Sequence, residues 1–238
     1  PSCEDAVGYD VIIPPANAKG ERKHSTLSSN CEDAVGYDAI TPTASAKGGE
    51  KLSTPLPNCE DAIGYGATSC RILDFCTGSG AIAIAIAKQF PKAEVFATDY
   101  SEDILRLAQQ NAEDNHARVK FIQHDLLRED TAKLGQGYQA IVSNPPYIPQ
   151  SHKTILHKNV VDFEPAEALF VPDEKPLLFY ERIALLGREL LADNGMLFFE
   201  THENYHNELD SLLLQYHYQN IEKLLDLYGK PRFVTCKK

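Results

Sequence analysis

The sequence predicts an α/β domain built on a Rossmann-like, mainly parallel sheet, preceded by a repetitive leader. Two observations lead to this prediction. From Cys70 onward, short runs rich in Val, Ile and Phe alternate with longer helix-like runs, which is the pattern of a doubly wound parallel sheet. Upstream of that point the chain repeats itself and carries little apolar sequence. We therefore expect a leader over residues 1–67 and a folded domain over residues 68–238.

The leader is a tandem repeat. The segment CEDAVGYD begins at Cys3 and again at Cys31, and the variant CEDAIGYG begins at Cys59, so the unit is 28 residues long. A stacked solenoid would need three or more units, each with an apolar face, and the third copy breaks off early. Pro, Ala, Lys, Gly, Ser and Thr dominate each unit and cannot bury enough surface to offset the entropy of ordering. The leader is therefore predicted to be mostly disordered.

The first half of the domain reads as two strand and helix pairs. CRILDF is the first strand and AEVFATD is the second. The alternating run GAIAIAIAKQF could imitate a strand, but its Ala content, its Gly entry and the following Pro91 favour a helix. The second helix, SEDILRLAQQNAEDN, has Ser101 as its predicted N-cap and places Ile104, Leu105, Ala108 and Ala112 on one face.

The second half adds five more strands. RVKFIQHD is the third strand and YQAIVSN is the fourth, followed by a long Pro-rich segment and the helix PLLFYERIALLGRELLA. GMLFFET is the fifth strand, and NYHNELDSLLLQY is a helix. NIEKLLDLYG and RFVTCKK close the sheet, with the final strand antiparallel. The prediction is a seven-stranded sheet.

Composition narrows the function classes. The net charge is -11, and neither residues 1–67 nor residues 68–238 have a positive net charge. Nucleic acid is therefore not expected as the main partner. No apolar run of 18 or more residues and no basic, then apolar, N-terminal segment is visible, so we expect a cytoplasmic protein without a membrane span. The six cysteines form no C-x-x-C pair and have no zinc-ligand spacing, so they are expected to be reduced thiols.

A glycine-rich turn after the first strand predicts a nucleoside-binding crevice. Asp74 ends that strand, Gly78 and Gly80 permit a tight turn, and the next helix offers free N–H groups. Asp99 ends the second strand, where its carboxylate can accept hydrogen bonds from ribose hydroxyls. The same glycines also satisfy a G-x-G-x-x-A dinucleotide fingerprint, so this turn alone leaves an NAD site open.

The tetrapeptide after the fourth strand decides between these alternatives. Pro145 and Pro146 stiffen the turn, and the carbonyl of Pro145 is free to accept hydrogen bonds beside the side-chain carbonyl of Asn144. Two fixed acceptors suit a planar NH2 group, and Tyr147 adds an aromatic face. Because an amide nitrogen is a poor nucleophile, the electrophile must be strong, and a sulfonium methyl donor fits the crevice. No catalytic base is expected, since the acceptor oxygens stabilise the charge that develops on nitrogen.

The segments ILDFCTGSGAIAIAIAK, VFATDYS, QAIVSNPPYIP, FEPAEALF and LFFETHEN resemble the Class I S-adenosylmethionine methyltransferases of the PrmC/HemK family. That family consists of protein-(glutamine-N5) methyltransferases that modify the Gly-Gly-Gln glutamine of peptide chain release factors. The resemblance covers about residues 70–238. It implies S-adenosylmethionine as the cofactor and a release factor as the partner. It also implies two sets of site residues: donor contacts at Cys76, Thr77, Gly78, Ser79, Gly80, Asp99, Asp125, Leu126 and Asn144, and glutamine contacts at Asn144, Pro145, Pro146 and Tyr147, of which Asn144, Pro145 and Tyr147 are catalytic.

Three departures from the family pattern stand out. The first motif glycine of the family is Cys76 here, and we expect no chemistry from its thiol. Residues 1–67 contain nothing similar to the helical substrate-recognition domain of the family, so docking of a release factor is expected to be weakened or lost. The Gly-Gly-x-Asp-Gly-like segment usual after the motif AL is FVPDEKP.

Four histidines and one glutamate could suggest further site residues, but each also has a structural interpretation. His152, His157, His202 and His206 lack a ligand spacing with carboxylates, and we expect polar loop or helix residues and no metal site. Glu200 ends the fifth strand near the crevice, where it either borders the site or, as is commoner for strand-end carboxylates, is simply solvated.

Three functions stay open from sequence. The first is the release factor glutamine methyltransferase. The second is an N6-adenine or N4-cytosine methyltransferase acting on DNA or RNA, because those amino groups are also planar NH2 donors. The third is a domain that binds the donor but has lost its protein substrate.

Overall fold

The computed structural model of the protein describes residues 70–154, 166–202 and 204–238. Three sequence predictions lie outside these residues: the disordered leader over residues 1–67, the interpretation of His157, and the first part of the FEPAEALF segment. The predicted domain boundary at residue 68 also lies outside them and stays a prediction.

The order of secondary-structure elements in the described residues follows the predicted order. The first half contains β1 (Arg71–Phe75), α1 (Ala81–Gln89), β2 (Glu94–Asp99), α2 (Glu102–Asp114), β3 (Val119–Gln123) and β4 (Tyr138–Ser143). The second half contains β5 (Ile148–Pro149), a 3-10 helix (Gln150–Thr154), α3 (Ala166–Leu169), β6 (Phe170–Val171), α4 (Leu178–Leu190), β7 (Leu191–Glu200), α5 (His206–Gln215), β8 (Gln219–Leu225) and β9 (Pro231–Lys237).

The main sheet has seven strands in the order β3-β2-β1-β4-β7-β9-β8. Neighbouring strands from β3 to β7 are parallel, and β9 is antiparallel to both β7 and β8. The prediction of a mainly parallel sheet with an antiparallel final strand is confirmed. Strand order reverses between β1 and β4, which is the position where open α/β sheets hold their ligands beyond the carboxyl ends of the strands.

Helices cover both faces of the sheet. Because successive side chains of a strand point to opposite faces, neighbouring residues of one strand contact helices on different faces. Val95 and Ala97 of β2 pack with Ala83 of α1, whereas Phe96 belongs to the larger core cluster. That larger cluster is formed with α4 and α5, which bury Tyr180, Ile183, Ala184, Leu186, Leu190, Leu209 and Leu213. The site at the strand ends therefore rests on a three-layer scaffold.

Helix ends agree with the local sequence. The ambiguous run after Gly80 is helical, as predicted, and begins from Gly80 in the left-handed region at φ 83°. Ser101 is the N-cap of α2, with its hydroxyl oxygen accepting a hydrogen bond from the N–H of Ile104. Helix α4 ends at Leu190, two residues before the predicted end, and β7 begins at Leu191.

A second, two-stranded sheet was not predicted. Ile148 pairs with Phe170 and Pro149 with Val171, in parallel. This pairing holds the chain just after the Asn144–Tyr147 turn. Two-residue strands are too short to show a period in sequence, so no pattern could indicate them.

Candidate active site

The carboxyl ends of β1, β2, β4 and β7 form one edge of the sheet, and the predicted site residues follow these ends. The hydroxyl of Ser143, at the end of β4, donates to the carbonyl oxygen of Phe75, at the end of β1, at 2.8 Å. Both groups are buried. This hydrogen bond brings the loop that begins at Cys76 next to the turn that begins at Asn144. Ser143 was not among the predicted site residues, since nothing in sequence links two positions 68 residues apart.

The loop from Cys76 to Gly80 connects β1 to α1 and is held by β2. The N–H of Thr77 donates to the carbonyl of Thr98 at 2.9 Å, and the N–H of Gly78 donates to the Asp99 carboxylate at 3.1 Å. Gly80 N–H donates to the Thr77 carbonyl at 3.0 Å, closing the turn. The structure therefore brings together the predicted donor-loop residues and Asp99.

The two glycines have different structural roles. Both have positive φ, 54° at Gly78 and 83° at Gly80. A side chain at Gly80 would lie 3.2 Å from the Cβ of Ala108, so α2 packs directly against it. Gly78 has open space where a Cβ would be, and Ser79 beside it is exposed. Gly78 and Ser79 therefore leave the outer side of the loop free for a ligand.

Asp99 is almost fully buried at the end of β2. One carboxylate oxygen accepts from Gly78 N–H, and the other accepts from Ser101 N–H at 3.3 Å. Each carboxylate oxygen has a second lone pair, so both can still accept from a ligand hydroxyl. The predicted contact with ribose hydroxyls stays a prediction.

Asp74 is a buried acid directly beneath the loop. It accepts a hydrogen bond from the Thr77 hydroxyl at 2.6 Å, and its other oxygen, Oδ1, has no partner in hydrogen-bonding geometry among the described residues. Burial raises the pKa of Asp74 to about 7, against the opposing effects of the Thr77 hydroxyl and the Ala83 N–H. An unpaired buried acceptor of this kind is costly. Its position at the strand end before the glycines was the only signal available in sequence.

Cys76 has a backbone conformation that favours glycine. Its φ of 57° lies in the left-handed region that favours glycine. Its side chain packs against the main core. Burial, followed by the nearby charges of Asp99 and Asp74, raises the pKa of the thiol well above its ordinary value. A thiol held in its protonated form is a poor nucleophile. The expectation that this thiol does no chemistry stays a prediction.

Asp125 and Leu126 follow β3, the strand beside β2. The N–H of His124 donates to the Asp99 carbonyl at 2.9 Å, so this segment lies next to the donor loop. The Asp125 carboxylate caps the following turn through the Leu127 N–H at 3.1 Å. The Leu126 side chain belongs to the main core and is only 5% exposed.

The Asn144–Tyr147 turn divides into an exposed and a buried part. Pro145 and Pro146 are buried, Tyr147 is partly buried and Asn144 is exposed. A rigid backbone therefore presents a reachable amide side chain at the switch point of the sheet. The structure brings this turn beside the Cys76–Gly80 loop through the Ser143 hydrogen bond.

Glu200 faces the site and is not simply solvated, contrary to the commoner interpretation of a strand-end carboxylate. The Tyr147 hydroxyl donates to a Glu200 carboxylate oxygen at 3.2 Å, and the Tyr180 hydroxyl donates to the Glu200 carbonyl at 2.9 Å. Burial raises the pKa of Glu200. Burial, then the charge of Glu200, raises the pKa of Tyr147 to about 12. Tyr147 therefore stays protonated at neutral pH and is the donor in this hydrogen bond.

Three of the histidines singled out in sequence are described. His206 is buried on α5, with Nε2 at 3.0 Å from the Pro231 carbonyl oxygen. The His202 ring lies 6.1 Å from the Tyr147 ring and 5.9 Å from the His152 ring. Within the part of the chain that the structure describes, no group of three or more His, Cys, Asp or Glu side chains is arranged to hold a metal ion.

Sequence comparisons identify relatives of the domain. A family model described as Methyltransferase small domain matches residues 60–166. The release factor glutamine methyltransferase of Bacteroides thetaiotaomicron is 44% identical over 168 residues, which is 71% of this chain and 60% of that protein. The release factor glutamine methyltransferase of Flavobacterium psychrophilum is 43% identical, over 69% of this chain and 57% of that protein.

Solved structures share the fold. A methyltransferase from Pyrococcus furiosus aligns with a TM-score of 0.52 at 16% identity, covering 72% of this chain and 77% of that one. A predicted O-methyltransferase from Agrobacterium tumefaciens aligns with a TM-score of 0.51 at 18% identity, covering 73% and 76%.

The sheet order and the matched structures give the domain the Rossmann-like fold of the Class I methyltransferases, and a methyltransferase family model matches part of the chain. Within that class, its sequence is related to the release factor glutamine methyltransferases, and the chain spans about 60% of the length of the relatives it matches.

In the described residues no helix combines the length and apolarity needed to cross a membrane.

The residues present fit the methyl donor. The outer side of Gly78 is open, and the Asp99 carboxylate retains acceptor capacity beside it. Together they offer an open loop and acceptor oxygens to a nucleoside with hydroxyl and ammonium donors. The predicted contacts of individual residues with that donor stay predictions.

Proposed function

We propose that this chain transfers a methyl group from S-adenosylmethionine to the side-chain amide nitrogen, N5, of a glutamine in a protein. We further propose that this glutamine belongs to the Gly-Gly-Gln motif of a peptide chain release factor, which makes the cytoplasm the site of action. One observation carries the proposal: an exposed Asn144 on a rigid proline turn at the switch point, joined through Ser143 to the glycine loop. The names of the relatives support the choice of substrate.

The donor would be held by the loop Cys76–Gly80, by Asp99 and by the segment Asp125–Leu126, with Asn144 at the border between donor and acceptor. When bound, S-adenosylmethionine supplies a methyl group on a positively charged sulfur, which departs as a neutral thioether. The buried Asp99 carboxylate holds the loop by accepting from the Gly78 N–H. A preformed loop lowers the entropic cost of binding.

The acceptor glutamine would be held by Asn144 Oδ1 and the Pro145 carbonyl, each accepting one N–H of the amide. Fixing both hydrogens directs the nitrogen lone pair at the methyl group and stabilises positive charge as it develops. Pro146 keeps the turn rigid, and Tyr147 offers its ring to the amide plane. The proton is then lost to solvent, so no side-chain base is needed.

Methylation of an adenine or cytosine amino group is the less favoured alternative. The relatives found by sequence comparison modify a protein, and a chain with net charge -11 is poorly suited to a polyphosphate partner.

Mass spectrometry of a release factor incubated with this chain and S-adenosylmethionine tests the proposal. We expect one added methyl group on the peptide that contains Gly-Gly-Gln, with fragmentation placing it on the glutamine. A release factor in which this glutamine is replaced by Ala should remain unmodified. Methylation elsewhere, or of nucleic acid in preference to the release factor, would contradict the proposal.

A further inference from the structure

We propose that Glu200 is a positioning residue for methyl transfer, which holds the Tyr147 hydroxyl so that the Tyr147 ring is fixed against the acceptor amide. This inference rests on the proposed function and adds to it a residue outside the Asn144–Tyr147 turn. It starts from the hydrogen bond that Tyr147 donates to Glu200 across 53 residues of sequence.

The proline turn fixes the backbone of Tyr147 and the ring packs against the main core, but neither contact holds the hydroxyl at the far end of the ring. The side chain retains two rotatable bonds, and its ring is only partly buried. The 3.2 Å hydrogen bond to Glu200 Oε1 fixes the far end of the ring. With both ends held, the aromatic ring has one orientation, which is the condition for a productive stacking surface.

Glu200 is itself held in place. Its backbone ends β7, where it pairs with Phe233 of β9, and its carbonyl accepts from the buried Tyr180 hydroxyl at 2.9 Å. The anchor for Tyr147 is therefore attached to the sheet and, through Tyr180, to α4.

Arg232, on β9, places a positive charge near both Glu200 and Tyr147. Its carbonyl accepts from the Thr201 N–H at 2.8 Å, and its guanidinium Nε lies 3.6 Å from Asp226 Oδ2, so the side chain is fixed at both ends. Its positive charge acts to lower the pKa of both Glu200 and Tyr147, against the burial that raises them. Arg232 thus favours the charged form of Glu200, which is the stronger acceptor for the Tyr147 hydroxyl.

A double-mutant cycle between Glu200 and Tyr147 tests the inference. Steady-state transfer to a release factor would be measured for the parent chain, Glu200→Ala, Tyr147→Phe and the double variant. We expect each single change to lower kcat roughly 10-fold, by analogy with the cost of small misplacements in active sites, with KM nearly unchanged. The double variant should be no slower than the slower single variant, because both changes remove the same hydrogen bond.

Two further variants separate positioning from general damage. Glu200→Gln keeps a carbonyl acceptor at the same place and should recover most of the activity lost in Glu200→Ala. Glu181→Ala is the matched control: Glu181 accepts from the Tyr216 hydroxyl at 3.3 Å at an exposed position on α4, and its loss should leave kcat unchanged.

Losses that multiply in the double variant, or parent-level kcat in Glu200→Ala, would overturn the inference while leaving the proposed function intact. Equal losses in Glu200→Ala and Glu181→Ala would also overturn it, since they would report a general effect on the fold. A parent chain that methylates no glutamine substrate would instead contradict the proposed function, and the two failures are therefore distinguishable.

Discussion

At the carboxyl edge of the sheet, single hydroxyl groups hold together the segments that form the site. Ser143 joins the end of β4 to the end of β1, Thr77 joins the glycine loop to Asp74, and Tyr147 joins the proline turn to β7. Each hydrogen bond is worth only about 1 kcal/mol in net stability. Their larger effect is geometric, because together they set the distance between the donor loop and the acceptor turn.

The residues of the site were predictable to different degrees. The glycine loop, Asp99 and the Asn144–Tyr147 turn each form a local pattern, so sequence alone indicated them. Glu200 was singled out only as a strand-end carboxylate, with solvation as the commoner interpretation. Ser143 and Arg232 were not indicated, because their partners lie on distant segments and no local pattern reveals such a partner. Asp74 was recognised as a strand end, but its complete burial follows from the layers packed over it.

Replacement of Asp74 by Asn should change how stability depends on pH. The pKa of about 7 lies above the usual value for Asp, so between about pH 4 and pH 7 the folded state binds more protons than the unfolded state. The contribution of Asp74 to stability therefore falls as pH rises through this window and levels off above it. In Asp74→Asn, which cannot ionise, the loss of stability from pH 5 to pH 8 should be smaller, by on the order of 2 kcal/mol.

Urea unfolding of the parent chain and Asp74→Asn at pH 5 and pH 8 measures this difference. The same change in unfolding free energy between the two pH values in both proteins would show that Asp74 does not titrate there.

At the scale of elements, helix α4 is fitted closely to the strands beneath it. A Cβ at Gly187 would lie 2.5 Å from the Tyr218 hydroxyl oxygen and 3.3 Å from a Leu197 methyl carbon. Tyr218 is buried and donates to the Ala184 carbonyl at 3.0 Å, so its hydroxyl cannot move without losing this bond. The glycine is thus required by the close approach of the helix to its neighbours.

Gly187→Ala is therefore expected to destabilise the domain although Ala is the better helix former. The gain in helix propensity is about 1 kcal/mol, and overpacking of a tight core typically costs about 1–3 kcal/mol. In a Tyr218→Phe background the same change should cost less, because the hydroxyl that it meets is gone. Denaturant midpoints of the four proteins measure this, and a stabilised Gly187→Ala variant would contradict the packing account.

Apart from β7, the end of β8 and the unpredicted 3-10 helix at Gln150–Thr154, the elements of five or more residues were predicted within two residues of their observed bounds, because their periods or compositions are strong. The β5–β6 pair was missed because its strands have two residues each. The ends of α4 and β7 were misplaced by up to four residues, since Leu190, Leu191 and Ala192 suit either a helix or a strand and the tertiary contacts decide.

At the scale of the whole molecule, the seven-stranded sheet with its reversed last strand is the part of the architecture that sequence predicted in full. Alternating strands and helices require a mainly parallel sheet with right-handed crossovers, which leaves few other topologies. The choice of protein substrate is harder to predict from sequence, because it depends on docking surfaces that no short motif marks.

Removal of the leader tests the predicted division of the chain. A chain that begins at Ala67 should melt within a few degrees of the full chain, because the repeat carries too little apolar sequence to contribute a packed face. Thermal unfolding followed by circular dichroism compares the two. A loss of several degrees would show that the repeat stabilises the domain.

The central claim is that Asn144 holds the acceptor amide while the glycine loop holds the donor. Radiolabelled methyl transfer to a release factor, measured together with calorimetry of donor binding, tests it in the parent chain, Asn144→Ala and Asn144→Asp. Asn144→Ala should lower transfer roughly 10²- to 10³-fold, as for loss of one oxyanion-hole donor, with donor affinity nearly unchanged. Asn144→Asp keeps an acceptor of the same size and should be impaired less. Transfer by Asn144→Ala at the parent rate would contradict the claim.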